Sequence, residues 1–167
     1  MKVKNLLFAL ILLPLLAMNN KKQEVFFMPE FSAVQWDSSK ADSLIKFAKQ
    51  YLKKPYCYGS KIPKCFDCSG FVMHCFNKFG KELPHSSQSI AFLGKFVSYG
   101  HARRGDLIFF TGRNSASETV GHVGIVTSIE NGTINFIHAS VQSGVVISND
   151  AEAYYKSRFM FIKRIKY

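Results

Sequence analysis

The sequence predicts an α+β domain, with helices packed first and a central antiparallel β-sheet built after them. Two observations carry this. Apolar residues recur at helical spacing through the first half of the chain, and beyond about residue 92 the pattern shortens to runs rich in β-branched and aromatic residues. Turn signals at Arg104-Gly105-Asp106 and Glu130-Asn131-Gly132 separate those runs, so runs of helix precede runs of strand, the pattern of an α+β fold.

Lys2 and Lys4 precede an apolar run from Leu6 to Ala17, and polar Asn19-Asn20-Lys21-Lys22 follows it. A positive start, a short apolar stretch and a small residue describe a secretory signal peptide. A run of about twelve apolar residues is short for a bilayer span. Residues 1–22 are therefore expected to be a signal peptide, or an N-terminal membrane segment if uncleaved, and the protein to be exported to the periplasm, cell envelope or medium. Residues 23–36, with Pro29 and no clear period, read as an arm. Residues 37–167 read as a single domain.

In that domain, Ala41, Leu44, Ile45, Ala48, Tyr51 and Leu52 fall at helical spacing after Asp37-Ser38-Ser39, and Pro55 follows, so a helix is expected from Ser39 to Leu52. A second helix starts at Cys68. Its apolar partners Phe71, Val72, Cys75, Phe76 and Phe79 trace one face, and Gly80 stops it. Leu83-Pro84-His85-Ser86-Ser87-Gln88 opens a short third helix reaching about Phe92. The strand candidates are Leu107–Thr111, His122–Ile129, Thr133–Ala139, Val145–Ser148 and Phe159–Ile165, with a polar loop between Thr111 and Thr119.

The chain has 167 residues, 47% of them hydrophobic and 14% aromatic, enough for a packed core. Its net charge of +11 suits an anionic partner. The basic residues are scattered and no nucleic-acid module is recognisable, so nucleic acid is not the expected partner.

Four cysteines remain to be explained. Cys68 would sit at a helix N-terminus on the buried side, where free N–H groups and the helix dipole favour thiolate. A nucleophile and a small buried core residue are both consistent with that position. Cys65 and Cys68 have C-x-x-C spacing, which suits a redox pair or half of a zinc site. No second such pair exists, and no strand precedes Cys65 as a thioredoxin-type motif requires. Cys57 and Cys65 could instead form a structural disulfide.

A thiol nucleophile needs a base, and the base needs an orienting partner. Of five histidines, His74 points away from Cys68 on its helix, and His85 and His101 fall in loop-like segments. His122 and His138 lie on strands joined by Glu130-Asn131-Gly132. A two-residue Asn131-Gly132 turn would pair His138 with Ile125 and put the two rings on opposite faces. A three-residue loop with Gly132 left-handed pairs His138 with Gly124 and puts both rings on one face. We expect the same-face register, which a bulge elsewhere in the hairpin would also produce.

The blocks Pro55-Tyr56-Cys57-Tyr58-Gly59, Phe66-Asp67-Cys68-Ser69-Gly70-Phe71, Leu83-Pro84-His85-Ser86-Ser87-Gln88, Gly105-Asp106-Leu107-Ile108-Phe109-Phe110, His122-Val123-Gly124-Ile125-Val126 and Ile137-His138-Ala139-Ser140 occur in that order. With them the chain, from about Asp37 onward, resembles the NlpC-type bacterial cell-wall peptidases, papain-like cysteine enzymes that cut peptidoglycan stem peptides. The resemblance implies Cys68 as nucleophile, His122 as base and His138 as the residue that orients it. It implies Tyr56 as an oxyanion donor, and Asp67 and Ser69 as positions lining the substrate cleft. It implies acyl transfer with no metal and no organic cofactor, and peptidoglycan stem peptides as partner. Tyr58, where Trp is usual, Ser60, where a second Gly is common, and a long Arg113–Gly121 loop depart from the family at the cleft rim. An amidase on the same scaffold, a non-catalytic wall-binding module and an exported redox protein are the rival readings.

Overall fold

The computed structural model describes residues 38–166. The expected leader at 1–22, the arm at 23–36 and the Asp37 cap lie outside the described residues.

Helix α1 (Ser38–Lys49) buries Ala41, Leu44, Ile45 and Ala48, the stripe its spacing dictates. It ends before the expected Leu52, because the following turn tightens into three-residue bonds such as Tyr51 N–H to Ala48 O at 3.1 Å. Lys53 then turns left-handed (φ 69) and donates its N–H to Val145 O at 2.8 Å, tying the chain to a strand far away in sequence. The turn-rich stretch that follows folds into an unforeseen hairpin of β1 (Lys61–Ile62) and β2 (Cys65–Phe66). A Cys57–Cys65 disulfide, with Cα atoms 5.5 Å apart, closes its loop. Cys65 is thereby committed, so Cys65 and Cys68 are not a redox pair here, and Cys68 and Cys75 are free.

Helix α2 (Cys68–Asn77) starts where expected and stops two residues short of Phe79, with Gly80 left-handed at φ 73. Helix α3 (Ser87–Ala91) is capped by Ser86. The sheet then assembles from β3 (Lys95–Val97), β4 (Leu107–Thr111), β5 (Val120–Glu130), β6 (Thr133–Ser140), β7 (Gly144–Asn149) and β8 (Phe159–Arg164), in spatial order β3-β8-β4-β5-β6-β7 with every pair antiparallel. β3, three residues of exposed or half-buried edge, was not legible from its period. A one-turn helix α4 (Ala153–Lys156) links β7 to β8.

Both faces of the sheet are covered. On one, Leu107, Phe109, Val123, Ile125, Ile137 and Ala139 pack with Leu44 and Ala48 of α1 and Phe71, Val72, Cys75 and Phe76 of α2. On the other, Ile108, Phe110, Val126, Ile134, Phe136 and Ile162 pack around Tyr155 of α4. Two-sided burial is why β4 reads as an unbroken apolar run rather than an alternating one. Buried Asp106 accepts Arg164 Nε and Nη2, each at 2.8 Å, and stitches β4 to β8.

The β5–β6 hairpin departs from expectation in mechanism but not in outcome. Asn131 (φ 51) and Gly132 (φ 79) are both left-handed, and Glu130 pairs with Thr133, so the turn has two residues rather than three. The register then shifts between Val126 and Ser128. That bulge at Thr127 restores the Ile125–Ile137 pairing, which aligns Gly124 with His138.

Gly70, in the first turn of α2, packs against the β1–β2 hairpin. A Cβ there would collide with the Ser60 carbonyl oxygen and press on His85 Nε2 at 3.0 Å. The Ser60 oxygen cannot give way easily, because it accepts the Asp67 N–H at 2.9 Å. Gly70→Ala is therefore expected to lower the unfolding free energy by about 1–3 kcal/mol, read as a lower denaturant midpoint at unchanged m. An unchanged midpoint would show that hairpin and helix are not in tight contact.

Candidate active site

The site is assembled from the head of α2, the chain before β1, and the adjoining ends of β5 and β6. Asp67 caps α2: its Oδ1 accepts Gly70 N–H at 2.6 Å and Ser69 Oγ at 3.0 Å. Its Oδ2 lies 2.9 Å from His85 Nε2. His85 is thus not the free surface residue its loop position suggested. Asp67 and Ser69 are both buried, and together they fix the first turn that carries Cys68.

Cys68 is 9% exposed. The backbone N–H groups of Ser69, Val123 and Cys68 itself favour the ionised form of the sulfur. Val123 is the β5 residue next to His122, and the β5–β6 ladder ends at Ile125–Ile137, short of it. The head of α2 therefore meets β5 where the two strands stop pairing. No hydrogen bond joins Cys68 to His122 among the described residues. Tyr56 bridges to Phe66 beside the disulfide, and its phenol lies close enough to Cys68 and Asp67 that their ionised forms disfavour its own ionisation.

His122 and His138 meet on one face. His122 Nε2 lies 2.9 Å from His138 Nδ1, the rings standing nearly perpendicular at 86°. His138 is fully buried, packed on Phe136 and Tyr155. Its Nε2 lies 3.2 Å from Ser148 Oγ and 3.1 Å from Tyr155 Oη. Sequence reasoning missed both hydroxyls. Ser148 could have been inferred once β7 was aligned against β6; Tyr155 could not, because nothing local signals that a one-turn helix aims its one buried side chain at this ring. His74 is bonded to Tyr51 Oη at 2.8 Å, and His101 is exposed.

The electrostatics correct the thiolate expectation. Burial, and then the Asp67 carboxylate, push the Cys68 thiol up to about 11, outweighing the three backbone N–H groups. Burial takes His122 down to about 4, and takes His138 well below the usual histidine value with help from His122. Burial raises Tyr56 to about 12, so its hydroxyl keeps its proton as a donor. At rest the thiol and both imidazoles are neutral.

The model of the NlpC/P60 family matches residues 53–164. The chain belongs to the NlpC/P60 family. Among its relatives, the Murein DD-endopeptidase MepS/Murein LD-carboxypeptidase of Escherichia coli K12 is 41% identical over 111 residues, 66% of this chain and 55% of that protein. The Gamma-DL-glutamyl hydrolase of Bacillus subtilis 168 is 33% identical over 131 residues, 77% of this chain and 30% of that one. The chain thus spans about half the length of the first of these and less of the second. Among solved structures, an NLP/P60-family protein from Staphylococcus aureus Mu50 superposes with a TM-score of 0.70 at 27% identity, over 83% of this chain and 45% of its own. An NlpC/P60 protein from Bacillus cereus gives 0.66 at 29% identity, over 74% and 39%. The papain-like α+β architecture of this NlpC/P60 chain is that of its structural neighbours.

Half-buried His122 and fully buried His138 make stability depend on pH in a defined direction. Unfolding returns His122 to about 6.5, so between about pH 6.5 and 4 the unfolded chain takes up a proton that the folded one refuses. Its contribution is complete above pH 6.5 and is lost as the pH falls through about 4. Urea titrations at several pH values are expected to show stability falling with acidification more steeply in the wild type than in His122→Gln. Equal slopes would mean that the imidazole is solvated.

Proposed function

We infer that this NlpC/P60 chain is a cysteine endopeptidase that hydrolyses peptidoglycan stem peptides through Cys68, His122 and His138. The observation that carries the reading is the 2.9 Å contact between His138 of β6 and His122 of β5, the residue before Val123, whose amide favours the ionised Cys68 sulfur. A base oriented by a second ring, beside a sulfur at a helix head, is what nucleophilic acyl transfer requires.

In this mechanism His122 Nδ1 takes the thiol proton as the Cys68 sulfur attacks the peptide carbonyl. The low basicity of the buried ring and the high pKa of the thiol mean that proton transfer accompanies attack rather than precedes it. The oxyanion is met by the Cys68 backbone N–H and the Tyr56 hydroxyl. His122 returns its proton to the leaving amine, and water then hydrolyses the thioester, restoring the thiol and releasing the new carboxylate. Asp67 and Ser69 wall the cleft beside the sulfur while holding the helix head. Relatives named for murein endopeptidase and glutamyl hydrolase activity support this substrate class. The Cys57–Cys65 disulfide fits an oxidising compartment outside the cytoplasm, where such a wall substrate resides.

Purified protein incubated with defined stem peptides and with muropeptides, and followed by mass spectrometry, is expected to release peptide fragments cut within the stem. Release of intact stems from sugar would assign an amidase instead. Cys68→Ala is expected to remove activity entirely, and digestion surviving that change would refute the nucleophile. A second expectation concerns pH. Because His122 must be neutral and Cys68 protonated, kcat/KM is expected to hold level between an acid limb near 4 and an alkaline limb near 11. An acid limb near the ordinary imidazole value would place the base in solvent.

A further inference from the structure

The mechanism above uses one nitrogen of His122 and leaves open what decides which nitrogen carries the proton. A neutral imidazole has one N–H and one lone pair, so a line of such rings has a direction. For His122 Nδ1 to accept from the thiol, its own proton must sit on Nε2 and be donated to His138 Nδ1. The His138 proton must then sit on Nε2 and be accepted by something beyond it. Reversed, His138 Nδ1–H donates to His122 Nε2, and His122 presents Nδ1–H to the sulfur, where it is no base.

Among the described residues no carboxylate bonds His138. There are two hydroxyls from separate elements, Ser148 of β7 and Tyr155 of α4, at 3.2 and 3.1 Å from the same nitrogen. Tyr155 is 8% exposed and is the buried residue of α4, wedged against Phe110, Phe136 and the His138 ring. The Ser148 hydroxyl also lies beside the Tyr155 phenol and favours its ionised form. Near-equal distances to two oxygens suit a single N–H shared between two acceptors. The opposite arrangement is a chain in which Ser148 donates to Tyr155 and Tyr155 to a ring lone pair; such a chain needs only one oxygen against the nitrogen, whereas both lie there.

We propose that Ser148 and Tyr155 are positioning residues that hold His138 as its Nε2–H tautomer, and through it hold His122 with Nδ1 open toward Cys68. They touch neither substrate nor sulfur. The proposal rests on the Cys68–His122–His138 reading for its consequence in turnover, but the tautomers can be measured without any reaction.

The test is nitrogen-15 imidazole spectroscopy of the full chain at neutral pH. The wild type is expected to show His122 and His138 both protonated on Nε2. In Ser148→Ala/Tyr155→Phe, the buried His138 Nε2–H loses both acceptors, an expensive state that moving the proton to Nδ1 avoids. Both rings are then expected to switch to Nδ1–H, and kcat to fall about 10–100-fold with KM little changed, the usual cost of losing a partner that fixes an imidazole tautomer. Ser148→Thr, which keeps a hydroxyl, is expected to keep the wild-type tautomers. A wild-type spectrum with His138 protonated on Nδ1 overturns the proposal, and that spectrum decides the matter even if the double variant does not fold. Unchanged tautomers in a folded double variant also overturn it. Should Cys68→Ala retain activity, the proposed function falls while the tautomer assignment stands on its own spectra.

Discussion

One extra residue in β5 governs the rest of this site. Pairing runs from Glu130–Thr133 through Ser128–Asn135, and without a bulge His138 would oppose Ile125. Thr127 interrupts that register, and the strands continue with Ile125 opposite Ile137. Because side chains alternate, this single step moves His138 to the face that His122 occupies. Gly124 lets the backbones close at that point, since a Cβ there would meet Phe136 Cδ2 at 2.8 Å and His138 Cβ at 3.3 Å. The bond between the imidazoles is therefore a consequence of sheet geometry, and no local preference of either histidine produces it.

Burial on both faces of the sheet sets the chemistry. The rings lie on the side packed by Phe110, Phe136 and Tyr155, whereas α2 covers the other side with Phe71, Val72 and Phe76. Cys68, at the end of α2, reaches β5 where its ladder with β6 has stopped. Cys68 packs with the layer of α2, whereas the His122 ring packs toward Phe110 in the other layer. Low solvation there disfavours every charged form, which is why thiol and imidazoles are all neutral at rest.

The frame around the sulfur is rigid for separate reasons. Asp67 spends its carboxylate on the helix cap, on Ser69 and on His85. Gly70 lets α2 press against the Ser60 carbonyl, and the disulfide closes the loop carrying that carbonyl, which constrains the unfolded chain by roughly 2–4 kcal/mol. Asp67 is the cap, Ser69 its hydrogen-bond partner and Gly70 the contact point with the hairpin, and Cys68 stands among them at the first position of α2.

Much of this was legible from residues alone. Helical offsets after Cys68, β-branched runs after residue 92 and glycines at turn positions depend on neighbours a few positions apart, and those elements stand within a few residues of expectation. The same-face histidines were also reachable, since alternation leaves only two registers to choose between. What the sequence could not contain was decided by contacts between distant segments. The Thr127 bulge, the Cys57–Cys65 pairing, the His85–Asp67 contact and the Ser148–Tyr155 pair behind His138 all join residues that no short-range pattern links. The neutral state of the thiol belongs with them: a helix terminus is a local feature that favours charge, but burial is a property of the whole fold, and here burial is the larger effect.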